Sequence, residues 1–172
     1  MQQLYLTGAS AGIIADRLFH ALNVRPVGLR LVPVEAGGGL RGDALQLLLP
    51  PAPPLFNCVP CRVRLSPERS ITVPAALEEI AAPGLMASMK VHAPMLLQGL
   101  SADLLACPAF REAVRACMMG SSPVVAVADA SAVPVLQELT PPEKQLWFDV
   151  PEDEAGQSAL LEHLIPEAAL RF

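Results

Sequence analysis

Residues 6 to 15, Leu6-Thr7-Gly8-Ala9-Ser10-Ala11-Gly12-Ile13-Ile14-Ala15, have the order of a phosphate-binding turn without its side-chain chemistry. An apolar run to Leu6 reads as a strand, two glycines punctuate a tight turn, and a helix-like segment follows to about Leu22. Such an arrangement aims backbone N–H groups at an anion. The phosphate-loop pattern G-x-x-x-x-G-K-[ST] also needs a lysine and a metal-binding hydroxyl. Counted from Gly8, the second glycine, lysine and hydroxyl positions hold Ile13, Ile14 and Ala15. What remains for anion contact is the backbone from Gly8 through Ala9, Ser10, Ala11 and Gly12.

The other candidate groups are sparse. Cys58-Val-Pro-Cys61 has the spacing of half a zinc site or of a redox pair, but Cys107 and Cys117 do not complete a zinc ribbon. A redox pair opens a helix after a strand, whereas Cys58 follows Pro50-Pro51-Ala52-Pro53-Pro54. Plain reduced thiols are the simpler reading, and whether the four cysteines meet in space stays open. His20, His92 and His163 have no partner at helical spacing, so no metal site is expected. The only tyrosine, Tyr5, lies in the first strand, which excludes a Tyr-x-x-x-Lys catalytic pair.

Composition narrows the classes. A chain of 172 residues, 52% hydrophobic and 17% charged, suits a single domain over 1–172 and argues against disorder. No apolar stretch approaches the roughly 18 residues of a membrane span. No basic region leads into a long apolar block, so a cytoplasmic protein is expected. The formal net charge is −5 and only Lys90 and Lys144 are lysines, which excludes the basic stripe of a nucleic-acid binder.

The elements that must position these residues alternate between strand and helix. Strands are predicted at 2–7, 28–34, 44–49, 61–65, 95–97, 124–128 and 145–150. Helices are predicted at 13–22, from Thr72 with a break at Pro83, and at 108–118, 132–139 and 154–164. The second and third strands form a hairpin around Gly37-Gly38-Gly39, followed by the proline-rich loop. Continuous apolar strands between helices indicate an α/β domain with a mainly parallel sheet and an inserted β-hairpin region.

This order resembles the small P-loop nucleoside-triphosphatases of the adenylate-kinase-like group, known from thermophiles and from animals. The likeness runs through Leu6-Thr7-Gly8, Val27-Gly28, the Thr72 to Leu85 segment and Met95-Leu96-Leu97-Gln98-Gly99-Leu100. It continues through Pro108-Ala109-Phe110-Arg111-Glu112-Ala113-Val114, Pro123 to Val127 and Phe148 to Glu152. The resemblance implies a three-layer α/β/α fold and slow, magnesium-dependent hydrolysis of nucleoside triphosphates. It also implies an aspartate–glutamate pair, for metal and attacking water, where this chain has Gln98 and Gly99. A degenerate relative without hydrolysis is therefore expected. It would need neither Mg2+ nor nucleotide, and would keep weak nucleotide or anion contact or a protein-binding role. The alternatives are a working phosphohydrolase using substitute residues such as Asp103, or a Rossmann-type dinucleotide module. The second rests on Thr7-Gly8-Ala9-Ser10 with Gly12 and on the acidic Glu35. It lacks the last fingerprint glycine, which would be Ile14.

Overall fold

The computed structural model describes residues 2–36, 40–49, 58–66 and 69–172. One eight-stranded sheet runs through them in the order β5-β4-β3-β2-β6-β7-β1-β8. Its strands are β1 (Gln3–Thr7), β2 (Val27–Ala36), β3 (Leu40–Leu48), β4 (Cys58–Ser66), β5 (Arg69–Thr72), β6 (Met95–Leu100), β7 (Val124–Ala128) and β8 (Gln145–Asp149). The five strands β2, β6, β7, β1 and β8 are parallel, and β3, β4 and β5 extend them as an antiparallel meander.

Alternation along the strands sorts the core into two layers, because successive side chains leave opposite faces of a sheet. Leu4, Leu6, Leu96 and Val125 face α1 (Ala11–Ala21) and α6 (Glu154–Ala169). Tyr5, Leu29, Leu97 and Ala126 face the other layer. That layer holds a π-helical segment (Ala76–Ala81), α2 (Ala82–Met89), α4 (Pro108–Met119) and α5 (Val133–Leu139), with the short α3 (Ala102–Leu105) before α4. This is the expected three-layer α/β/α arrangement, and β7 is buried along its whole length, as a parallel strand covered on both faces must be.

Several local expectations need correction. A fifth strand at Arg69–Thr72, too polar and short to stand out, precedes the helix expected from Thr72. Pro83 falls where the break is expected, with one segment ending at Ala81 and the next starting at Ala82. It sits in the first turn of α2, and the turn before it widens so that Ala82 N–H reaches the Leu77 carbonyl. The wider turn puts Leu77 and Ala81, four positions apart, on the buried side and leaves Ile80 exposed. The closing helix passes Leu164 to Ala169 and carries Pro166 within it. The glycine turn at 37–39 and the proline-rich stretch Pro50 to Pro54 lie outside the described residues.

Candidate functional site

The C-terminal ends of parallel strands are where an open α/β sheet offers a crevice. Here β1, β7 and β6 end side by side around a pocket of about 270 Å³. Gly8, Ala9 and Gly12 form one wall, Gln98, Gly99 and Leu100 the second, and Val127 to Asp129 the third. The sequence-predicted residues of the glycine turn and of Gln98-Gly99 are therefore brought together, across the intervening strand β7.

The turn itself is short. β1 ends at Thr7 and α1 starts at Ala11, leaving three residues between them. Gly8 adopts φ +103°, and a Cβ there would stand 2.9 Å from the Val150 carbonyl oxygen. Only glycine tolerates that backbone without strain. The Ala11 N–H closes on the Gly8 carbonyl at 3.1 Å and the Ile14 N–H on that of Ser10 at 3.1 Å. Among the described residues no hydrogen bond engages the N–H groups of Ala9, Ser10, Gly12 or Ile13, the last three being donors that a helix start leaves unsatisfied. Gly8 and Gly12 stand four positions apart, one fewer than the phosphate-loop glycines, and Gly12 already lies inside the helix.

The helix directs the next side chains away from the pocket. Ile14 and Ala15 are wholly buried against Leu4, Leu6 and Leu18, whereas Ile13 is 53% exposed. Counted from Gly12 rather than Gly8, the cation and hydroxyl positions become Ile13 and Ile14. Either register leaves them aliphatic.

Gln98 takes the opposite wall. Its amide nitrogen lies 2.6 Å from where a Cβ on Gly12 would stand, so the glycine leaves room for the amide. Its Oε1 is buried without a partner, as is Nε of Arg30, which sits at the neighbouring register position on β2. The Arg30 guanidinium is committed to Asp16 on α1. Gly99 has φ +94° and packs against Leu31.

The polar groups at the strand ends are acidic. Asp129 closes the turn before α5 by accepting from the Ala132 N–H at 3.1 Å and from the Ser131 hydroxyl at 2.5 Å. Thr7 donates to Asp149 at 3.0 Å. None of the ten residues lining the pocket is cationic. Asp129 escaped the sequence reading, although a polar residue immediately after the all-apolar run 124–128 marks the outlet of a parallel strand.

Asp103, considered as a substitute acid, lies outside the pocket lining. Arg62 on β4 reaches it at 3.3 Å, and Ser70 donates to it at 3.3 Å. Burial raises its pKa, but the Ser101 hydroxyl and Arg62 outweigh that and hold it below the usual carboxylate range. Arg62 also donates to the buried Asp43 at 2.7 Å. Thus Asp103 fixes the loop that follows β6.

Of the cysteine motif, the side chain of Cys61 is described. Cys61 is fully buried on β4 and its Sγ–H donates to the Asp43 carbonyl at 3.3 Å. Burial pushes its thiol up to about 12, far from a redox thiolate. Cys58 starts the same strand, and its side chain lies outside the described residues. Cys61, Cys107 and Cys117 are free thiols. Among the described residues no group of three or more His, Cys, Asp or Glu side chains is placed to hold a metal ion. No described helix is long and apolar enough to cross a membrane.

The sheet order and the site together define a P-loop NTPase-like α/β fold, with β1 carrying the glycine turn between β7 and β8. Among solved structures the chain is similar to THEP1 from the hyperthermophile Aquifex aeolicus. The TM-score is 0.71 with 14% sequence identity, over 97% of this chain and 98% of that one. No known family model and no curated protein matches the chain. The dinucleotide alternative fails on topology. A Rossmann sheet pairs β1 with β2, but here two strands separate them, and Glu35 is exposed in the β2–β3 hairpin.

Proposed function

We propose that this protein keeps the P-loop NTPase-like fold but does not hydrolyse nucleoside triphosphates, and acts by binding. The observation that carries this reading is that the positions that would supply cation and hydroxyl are aliphatic in either register, Ile13 with Ile14 or Ile14 with Ala15, and that Ile14 and Ala15 are wholly buried. Phosphoryl transfer depends almost wholly on positioning and charge stabilisation. Each lost donor of this kind commonly costs about 3 kcal/mol of transition-state stabilisation, without simple additivity.

The surroundings support the same reading. The pocket lining carries Asp129 and no cation, which opposes a polyanion. The residues at the turn do not fit a magnesium ion. Ala15 has no oxygen side chain, and Gln98 offers a neutral amide already packed on Gly12. The free N–H groups of Ala9, Ser10, Gly12 and Ile13 support contact with a small anion, each bond being modest.

Calorimetric titration with ATP and GTP, with and without magnesium, beside a phosphate-release assay, tests the proposal. The expected result is no magnesium-dependent turnover and at most weak binding. Turnover that requires magnesium and disappears in Gly8→Val would overturn it.

A further inference from the structure

A second concavity lies on the opposite layer from α1, between α2 and α4. It is an open depression of about 390 Å³ with an apolar floor that includes Pro83, Met86, Ala109 and Ala113. Met86 is 46% exposed, which is high for an apolar side chain of its size. The wall at one end is the π-helical turn. Such turns are rare and concentrate at functional positions.

That turn has a chemical consequence. Ala82 N–H bonds to the Leu77 carbonyl, five residues back, and the next residue in the ladder is Pro83. Proline has no N–H to offer the Glu78 carbonyl. The Glu78 side chain lines the same groove, and among the described residues it is held by the weak Sγ–H of Cys107 at 3.6 Å. Glu112 stands on the α4 wall. It pairs at 3.5 Å with Arg115 one turn along, both groups more than half exposed, a geometry worth little in water. Glu79 is exposed beside Glu78. Acceptors therefore rim an apolar floor.

We infer that the α2–α4 groove is a docking site for an amphipathic helix of another protein, carrying an apolar stripe flanked by lysine or arginine. The apolar residues fill the floor over Met86 and Pro83, as helices laid in grooves do. The basic groups meet Glu78 and Glu112 at the rim, where charge selects the partner more than it adds affinity. This inference uses no residue of the glycine turn and stands independently of the hydrolysis question.

The test selects helical peptides from a displayed random library on the intact protein. Enrichment is expected for sequences with apolar residues at i, i+3 or i+4 and i+7 and with basic flanks. A selected peptide should shift the ε-methyl NMR signal of Met86 and leave that of the buried Met118 in place. Met86→Glu should weaken binding about tenfold or more. The double variant Glu78→Lys with Glu112→Lys should reverse the preference toward acidic flanks. All three positions are exposed, so unchanged thermal midpoints would confirm intact folding. No enrichment, enrichment of acidic or uncharged flanks, or indifference to Met86→Glu would overturn the proposal. Self-association by light scattering that Met86→Glu abolishes would also overturn it, because the occupant would then be a second copy.

Discussion

Replacing Arg62 by methionine tests how the meander is tied to the parallel half of the sheet. Arg62 Nε donates to Asp43 at 2.7 Å and its Nη1 reaches Asp103 at 3.3 Å, with the Arg62 and Asp43 side chains 14% and 7% exposed. Removing one partner of a buried pair costs about 3–5 kcal/mol, because the other charge is left desolvated. Two features reduce that figure. Arg64 still reaches Asp43 at 3.1 Å, although it is 54% exposed, and Asp103 is 35% exposed and can be hydrated. A loss of about 3 kcal/mol follows. For a chain of this length that lowers the thermal midpoint by roughly 6–12 °C. Urea unfolding followed by Trp147 fluorescence measures it. A loss under about 1 kcal/mol would refute the claim that this network is a buried, mutually dependent one. The pH dependence provides a second arm. Asp103 has a depressed pKa in the folded state, so its contribution is present above the unfolded value near 4 and is lost as pH falls through the lower folded value. Arg62→Met should shrink the stability lost between pH 5 and about 3, and Arg62→Lys should fall between it and the parent.

Further predictions address the strand ends and the core. Gly28 has φ +119° and a Cβ there would lie 2.4 Å from the Leu96 carbonyl oxygen, so Gly28→Ala should cost about 3 kcal/mol or prevent folding, measured by denaturant midpoint. Gly12→Ala should displace the Gln98 amide while Gly12→Ala combined with Gln98→Ala recovers most of the loss, a coupling that a thermal-shift double-mutant cycle reads. Tyr5 is fully buried and bonds Thr140 at 2.9 Å, so Tyr5→Phe should cost about 1 kcal/mol in chemical denaturation. Burial pushes the thiols of Cys61 and Cys117 up to about 12, so neither should react with iodoacetamide at pH 8 until the protein unfolds, as peptide mass spectrometry will show.

The parts legible in the sequence were those governed by local rules. Residues 124–128 form a strand because five apolar residues in a row fit only a doubly covered position, and the strand is found at those bounds. The glycine turn was legible because Gly8 needs a backbone that other residues avoid, and the aliphatic character of Ile13, Ile14 and Ala15 is a property of composition alone. The layered α/β class followed from the alternation of such segments.

Tertiary structure decided what those residues face. That Gln98 lies over Gly12 depends on β7 entering between β1 and β6, a pairing between segments far apart in the chain that no spacing rule encodes. Asp103 looked available in sequence and is held by Arg62 from an antiparallel strand, because register, not proximity along the chain, sets which charges meet. Ile80 is exposed because the turn before Pro83 widens and its phase departs from the ordinary helical period. Local chemistry fixes which groups the chain owns, whereas the long-range pairing of strands fixes which of them share a site.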